Sequence, residues 1–372
     1  MNCKELDITP LGAWTKGQDT PLIIAGPCSA ESHGQMLEIA KGLAEIPAVR
    51  IFRAGIWKPR TRPGQFEGMG VEALPWLKEV KEQFGFLTAV EVANPQHIEA
   101  ALKHDVDILW IGARTSVNPF TVSELAETLR GTDVGVMIKN PVNPDIQLWM
   151  GAIERFHAAG IRKLAAIHRG FSYFRKSPFR NAPMWELPIE LKRICPALPV
   201  ITDPSHICGN TSMLLAVAQK ALDLEMDGLM IETHDNPEIA LTDKEQQITP
   251  ANLKLLLSQL IIRKKSGTPN FQDKLEQMRS EIDRLDHEML EILSRRMEII
   301  DEIGHYKKDN NITILQLKRW REMLQERIDS GLASGLSRPF LMDMLQLLHD
   351  ESIRRQEVIF RNENEDAKLD GA

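Results

Sequence analysis

The 372-residue chain has no apolar run long enough to span a bilayer, which excludes a transmembrane helix. Its first residues (MNCKELDITP) lack the basic, apolar and small-residue succession of a secretory signal. It has no excess of basic residues. The formal net charge of −7 argues against a general nucleic-acid binder. Cysteine is scarce: Cys3, Cys28, Cys195 and Cys208 make no pair-spacing motif and read as free thiols. These absences leave a cytoplasmic enzyme acting on small molecules, with no membrane and no nucleic acid among its partners. One further lack is regional. Beyond about residue 263 no strand pattern remains, although hydrophobic residues make up 43% of the chain, ample for buried cores.

What is present before residue 263 is a series of eight short apolar runs, each ending in chemically useful side chains. Residues 21–29 (PLIIAGPCS) end at Cys28, and 49–55 (VRIFRAG) carry Arg53, followed by Lys58-Pro59-Arg60-Thr61. Residues 86–92 end at Glu91, 106–114 (VDILWIGAR) at Arg114, and 134–140 (VGVMIKN) at Lys139. Residues 163–170 (KLAAIHRG) end at His168-Arg169, 199–206 (PVITDPSH) at Asp203 and His206, and 228–234 (GLMIETH) at Glu232 and His234. Amphipathic, helix-like segments separate them. Continuous apolar strands alternating with helices predict a buried parallel sheet. Eight units in about 250 residues predict one (β/α)8 TIM barrel. In that fold the strand C-termini share a rim, so these scattered residues converge on one pocket.

Two chemical groups stand at that rim. Cys28, His206 and Glu232 lie at strand ends, and Asp243 lies in the loop after the eighth run. Thiolate, imidazole and carboxylates together suit a first-row divalent metal ion, Mn2+ or similar, rather than a calcium cage. The second group is cationic: Arg53, Lys58, Arg60, Arg114, Lys139 and Arg169. Like charges crowded into a cleft repel unless anions occupy it. Arginine binds phosphate and carboxylate through a planar fork, and lysine binds them as a point charge. The pocket should therefore hold at least two anionic groups beside a metal.

These residues carry a resemblance. Gly26-Pro27-Cys28-Ser29, Lys58-Pro59-Arg60-Thr61, Gly112-Ala113-Arg114, His168-Arg169-Gly170, Asp203-Pro204-Ser205-His206 and Ile231-Glu232-Thr233-His234 resemble, in order, the type I 3-deoxy-D-arabino-heptulosonate 7-phosphate (DAHP) synthases. The likeness is closest to their β subfamily and covers roughly residues 10–262. It implies condensation of phosphoenolpyruvate with erythrose 4-phosphate and release of phosphate. It implies Cys28, His206, Glu232 and Asp243 as metal ligands. Arg53, Arg114, Lys139 and Arg169, with Ala113 beside them, would hold phosphoenolpyruvate. Lys58, Pro59, Arg60 and Thr61 would hold erythrose 4-phosphate. Lys139 would either give a proton to the developing alkoxide or stabilise it electrostatically. The related octulosonate 8-phosphate synthases are the rival. The Lys-Pro-Arg-Thr run and Cys28 favour the first family. Its members often carry an N-terminal regulatory domain, whereas about twenty residues precede the first run here, so regulation is expected from elsewhere.

The polar stretch 263–270 (RKKSGTPN) reads as a linker between a barrel over 1–262 and a helical domain over 271–362, with a tail over 363–372. Three helices are predicted: 270–307, about 314–330, and 340 to about 362. In the first, Leu275, Met278, Ile282, Leu285, Met289, Ile292, Ile299, Ile303 and Tyr306 recur at alternating steps of three and four. Position 296 of that seam is arginine, which either reaches water along its stem or meets an anion. In the third, Ser352 and Gln356 interrupt a stripe of Leu341, Leu345, Leu348 and Ile359, and buried polar groups need partners.

This segment, 271–360, resembles the all-helical chorismate mutases, three-helix chains that intertwine as dimers. The likeness rests on Arg279, Arg296, Lys307, Arg319, Ser352 and Gln356, with Leu285-Asp286 and Gly304 between them. It implies rearrangement of chorismate to prephenate without a cofactor. Arg279 (reaching into a partner's site), Arg296 and Arg319 with Ser352 would hold carboxylates. Lys307 and Gln356 would donate to the ether oxygen. The family often has a carboxylate after the arginine at 319 that contacts the substrate hydroxyl, and here that residue is Trp320. Two expectations follow. Either the helical domain turns over chorismate and feeds back on the barrel through prephenate or chorismate, or it is mainly a ligand-sensing dimerisation module with little turnover.

Overall fold

The computed structural model describes residues 6–15, 17, 21–59, 64–174, 176–264 and 269–369, without the side chains of 269, 270 and 362–369. The chain divides into two compact units, before and after the Arg263–Lys264 bond. Each is described by itself.

The first unit is a closed barrel of eight parallel strands in sequence order. They are β1 (Leu22–Gly26), β2 (Val49–Ala54), β3 (Leu87–Val92), β4 (Ile108–Ile111), β5 (Gly135–Lys139), β6 (Leu164–His168), β7 (Val200–Thr202) and β8 (Gly228–Glu232). β8 closes on β1 with Gly26 beside Glu232, so the first and last chemical runs become neighbours. Each predicted apolar run contains one strand, and most strand residues are buried because helices cover the outside while side chains fill the inside.

The helices between strands start where the sequence writes a cap. Asn94-Pro95, Asn118-Pro119, Asp203-Pro204 and Thr249-Pro250 each set a side-chain oxygen on a free N–H of the first turn, with proline at the first helical position. There its missing N–H costs nothing. Two apolar layers result. One lies between strands and helices, and includes Phe52, Trp149 and Phe156. The other fills the barrel interior with Ile24, Ile51, Trp110, Met137, Ile167, Ile201 and Met230. Trp14, from the short helix Leu11–Trp14, belongs to this inner layer. Its ring lies where a Cβ on Gly135 would stand, 2.5 Å from that point, so only glycine fits at the foot of β5. The barrel is thus packed through its length, and its chemistry is left to the opposite rim.

The second unit is helical: Pro269–Asp309, Leu317–Ala333 and Arg338–Leu369. Its apolar core is small, with Ile328, Leu341 and Leu345 buried and Trp320, Leu324 and Met344 packed around them. Within this unit, most described residues in the first half of the long helix are exposed. Met278, Ile282, Leu285 and Met289 are about half exposed along one face, at 50%, 56%, 49% and 49%.

Candidate active sites

The barrel rim carries a cavity of about 520 Å³ lined by residues from most strand ends. Lys58 and Pro59 follow β2, Glu91 is on β3, Ala113 and Arg114 follow β4, Lys139 ends β5, Arg169 follows β6, His206 follows β7 and Asp243 follows β8. Arg60 and Thr61 lie outside the described residues. The cations crowd as expected. Burial pushes the Arg169 guanidinium down to about 10, and Arg180 and Arg114 push the same way against Asp203. A dianion in the cavity relieves both effects.

Beneath the cavity runs a buried network. Arg53 is 1% exposed and does not line the cavity. Its Nη1 lies 3.0 Å from Glu232 Oε1, and Nη2 donates to the Cys28 carbonyl at 3.3 Å. Its guanidinium also stacks over the Trp110 ring at 4.8 Å. Asp203, fully buried, gathers two functional groups: Lys139 Nζ at 3.1 Å and His206 Nδ1 at 2.8 Å. Burial alone would raise the Asp203 pKa, but His206 and Lys139 hold the carboxyl well below the usual range. Burial lowers the His206 pKa, which favours a neutral imidazole ligand.

The four expected metal donors stand as two pairs. Asp243 Oδ2 is 3.5 Å from Cys28 Sγ, and His206 Nε2 is 3.8 Å from Glu232 Oε1. Among the described residues, no three His, Cys, Asp or Glu side chains converge closely enough to make a ready-formed cluster. Lys58 Nζ sits beside them, 3.1 Å from Cys28 Sγ and 2.9 Å from the Cys28 carbonyl. Burial pushes the Cys28 thiol up to about 12, and Glu232 adds to it. A thiolate at this position therefore needs a cation. Glu232 Oε1 is buried with no hydrogen-bond partner, the Arg53 contact being misaligned for one. A thiol, an imidazole and a carboxylate oxygen without a hydrogen bond fit a first-row divalent ion in ligand chemistry.

Arg180, Asn181 and Asn140 were not singled out from sequence. Arg180 and Asn181 line the cavity from the basic loop 171–183, whose sequence reads as a cover over the phosphate site or as a solvated loop. Asn181 Oδ1 accepts from Arg169 at 2.7 Å, and Asn140 Oδ1 accepts the Arg169 N–H at 2.7 Å. Glu91 accepts from Trp110 Nε1 at 3.1 Å. At the base of the same loop, His168 is fully buried and its Nε2 donates to the Pro183 carbonyl at 2.6 Å.

The helical unit has its own cavity, about 610 Å³. Arg296, Lys307, Arg319, Ser352 and Gln356 all line it, as the resemblance requires. Arg296 Nη1 donates to Ser352 Oγ at 2.9 Å, so the seam arginine turns inward instead of reaching water. Burial lowers its pKa, and the nearby Arg327 does likewise. Lys307 Nζ donates to the Ile314 carbonyl at 2.6 Å. Gln356 is 5% exposed, with Nε2 on the Ser352 carbonyl at 3.1 Å and Oε1 without a hydrogen bond. Arg279 is elsewhere on the long helix, exposed and 3.6 Å from Glu276. Trp320 stacks on His349 at 3.7 Å and 15°, and both rings line the cavity. Arg295 and Arg327 add two cations that sequence reading missed, and among the described residues no carboxylate lines the space. The spacing of Arg319, Met323 and Arg327 at steps of four was the available signal, since it puts all three on one helix face.

Comparison with known proteins gives the same division. Residues 5–266 match the model of the DAHP synthetase I family, and residues 278–357 match that of type II chorismate mutases. A phospho-2-dehydro-3-deoxyheptonate aldolase of Thermotoga maritima is 29% identical over 238 residues, covering 64% of this chain and 68% of that one. A 2-dehydro-3-deoxyphosphooctonate aldolase of a Bradyrhizobium species is 26% identical over 275 residues, covering 68% of this chain and 92% of the relative. The crystal structure of the Thermotoga maritima DAHP synthase aligns with a TM-score of 0.58 at 28% identity, over 63% of this chain and 66% of that one. The chain thus spans about two thirds of that protein's length.

Proposed function

The chain belongs to the DAHP synthetase I family and carries a type II chorismate mutase domain, and from that premise we propose a bifunctional enzyme whose barrel condenses phosphoenolpyruvate with erythrose 4-phosphate and whose helical domain rearranges chorismate to prephenate. The observation that carries the first half is the rim cavity, where Lys58, Arg114, Lys139 and Arg169 face one space beside His206 and Asp243. Arg114, Arg169 and Lys139, with Ala113 beside them, hold the phosphate and carboxylate of phosphoenolpyruvate. Despite its burial, His206, Arg53 and Lys58 hold the Glu232 carboxyl below its usual range. Lys58 and Pro59, with Arg60 and Thr61, hold erythrose 4-phosphate.

Cys28, His206, Glu232 and Asp243 are the residues that would hold a divalent ion. When bound it supplies Lewis-acid polarisation of the aldehyde. The enol carbon attacks that aldehyde carbon, water adds at the carbon bearing phosphate, and inorganic phosphate leaves. Lys139 serves the alkoxide as it forms. Asp203, in contact with both Lys139 and His206, keeps the lysine aimed at the cavity.

In the helical cavity Arg296, Ser352 and Arg319 bind carboxylates, and Lys307 and Gln356 donate to the ether oxygen as the C–O bond breaks. The half-exposed stripe of the long helix supports a homodimer through this domain, with Arg279 delivered to the partner's site. Prephenate or chorismate bound there lowers the barrel rate. Trp320 supports the second reading, a sensor with little turnover.

The test is phosphoenolpyruvate consumption by the Mn2+-loaded chain with erythrose 4-phosphate, with and without prephenate. Activity that falls with prephenate supports both halves. An unchanged rate sinks the feedback, and no activity in either condition sinks the reading of the rim. A chorismate assay on the same chain separates turnover from sensing alone.

A further inference from the structure

The loops after β6 and β8 meet across the rim through a short chain of hydrogen bonds. Arg180 Nη1 donates to Asp243 Oδ1 at 2.9 Å and to Gln246 Oε1 at 2.8 Å. Gln246 is 1% exposed and turns its other amide atom inward, Nε2 donating to Glu232 Oε2 at 2.6 Å. A primary amide can accept from a guanidinium and donate to a carboxylate at once. Each carboxylate thus commits one oxygen to this frame. The other oxygen faces different groups: Asp243 Oδ2 lies toward Cys28 Sγ at 3.5 Å, and Glu232 Oε1 lies 3.0 Å from Arg53 Nη1 and 3.8 Å from His206 Nε2.

Both ends of the frame are built in. Asp243 sits at φ 43°, ψ 41°, in the left-handed region, and its side chain is tethered by Arg180. Arg180 is fixed in turn. Its N–H donates to the Cys208 carbonyl at 3.3 Å, and Asn181 Nδ2 reaches the His206 carbonyl at 2.6 Å. Gly209, at φ +70°, has Arg180 Cβ 2.5 Å from where its own Cβ would stand.

We propose that Gln246 and Arg180 are positioning residues for the divalent-ion site: they hold Glu232 and Asp243 by their outer oxygens so that the inner oxygens face His206 and Cys28. This rests on the metal-dependent reading of the rim. Residues that orient metal ligands in this way typically change metal affinity by about 10–100-fold when removed.

The experiment titrates the metal-stripped full chain with Mn2+ alone and follows free Mn2+ by electron paramagnetic resonance. Q246A and R180A are each expected to weaken binding by about 10–100-fold. Q246E should weaken it at least as much as Q246A, because it sets a second carboxylate against Glu232. R180K should recover part of the loss. The double variant should lose little more than the worse single variant, since both act through one chain of bonds; two independent defects would multiply. Wild-type Mn2+ affinity in Q246A and R180A overturns the inference alone. Failure of the unaltered chain to bind Mn2+ overturns the metal reading and the inference with it. The Arg180 side chain is half exposed, so R180A keeps the test readable if Q246A does not fold.

Discussion

His168 should make the barrel acid-labile well above the range where carboxylates titrate. Its ring ends β6, fully buried between Phe171 and Trp185. Nε2 carries the proton that bonds the Pro183 carbonyl, and Nδ1 is buried with no partner, so a second proton has nowhere to go. Burial accordingly pushes His168 from its ordinary 6.5 down to about 4. The unfolded chain takes up a proton as pH falls through about 6.5, but the folded chain does so only near 4. Stability from this group is complete above about 6.5 and is lost as pH falls toward 4. The full gap is worth about 3 kcal/mol, of which about 2 kcal/mol is lost between pH 7 and pH 4.5. The assay is urea unfolding followed by tryptophan emission, since Trp320 is the one tryptophan outside the barrel. Wild type is compared with His168→Gln, whose amide keeps the donor to Pro183 but cannot titrate. His97, His157 and His206 are also held below their ordinary value by burial, and the subtraction cancels them. The stability difference between the two proteins should shrink by about 2 kcal/mol from pH 7 to pH 4.5. A difference that stays constant across that range would refute the assignment.

Chelation should abolish phosphoenolpyruvate consumption and leave the chorismate rate untouched; parallel loss of both would contradict two separate sites. Arg296→Ala should remove a buried charged contact worth about 2–5 kcal/mol, so chorismate affinity should fall at least tenfold by calorimetry while the barrel rate without prephenate persists. Gly112→Ala would put a Cβ 2.1 Å from Glu91 Oε1, the carboxylate that holds Trp110 under the cations. It should cost the barrel at least tenfold in kcat/KM, and an unchanged value would mean that Glu91 has room to move. The mutase rate should be flat from mildly acidic to neutral pH, because the Gln356 amide does not titrate; a steep loss toward neutrality would point to a different donor.

The barrel was legible because its strands are buried on both faces. Each therefore appears in sequence as an unbroken apolar run, and each run ends on the side chain it presents. Lys58, Arg114, Lys139 and Arg169 line one cavity, as their places at the strand ends predict. The supporting residues were not legible for a reason of distance. Arg180 gains its meaning from Asp243 and Gln246, more than sixty positions away, and nothing in the run FSYFRKSPFRNAP announces those partners. Asp203 reads as a helix cap, which it is, yet its second oxygen also anchors Lys139 and His206. Arg53 is legible as a rim cation from its type and strand position, but its contact with Glu232, which joins the second run to the last, is not.

The stripe of Met278, Ile282, Leu285 and Met289 ties the two activities to different physical variables. The barrel closes its own core within one chain. The helical unit buries little besides Ile328, Leu341 and Leu345, and with a second copy as the cover for its stripe, its integrity follows mass action. If the proposed dimer forms, dilution should loosen the mutase cavity before it touches the synthase. Under the proposed feedback, a fall in the amount of this protein would then weaken chorismate turnover and the restraint on the barrel together, and protein abundance would become an input to the control.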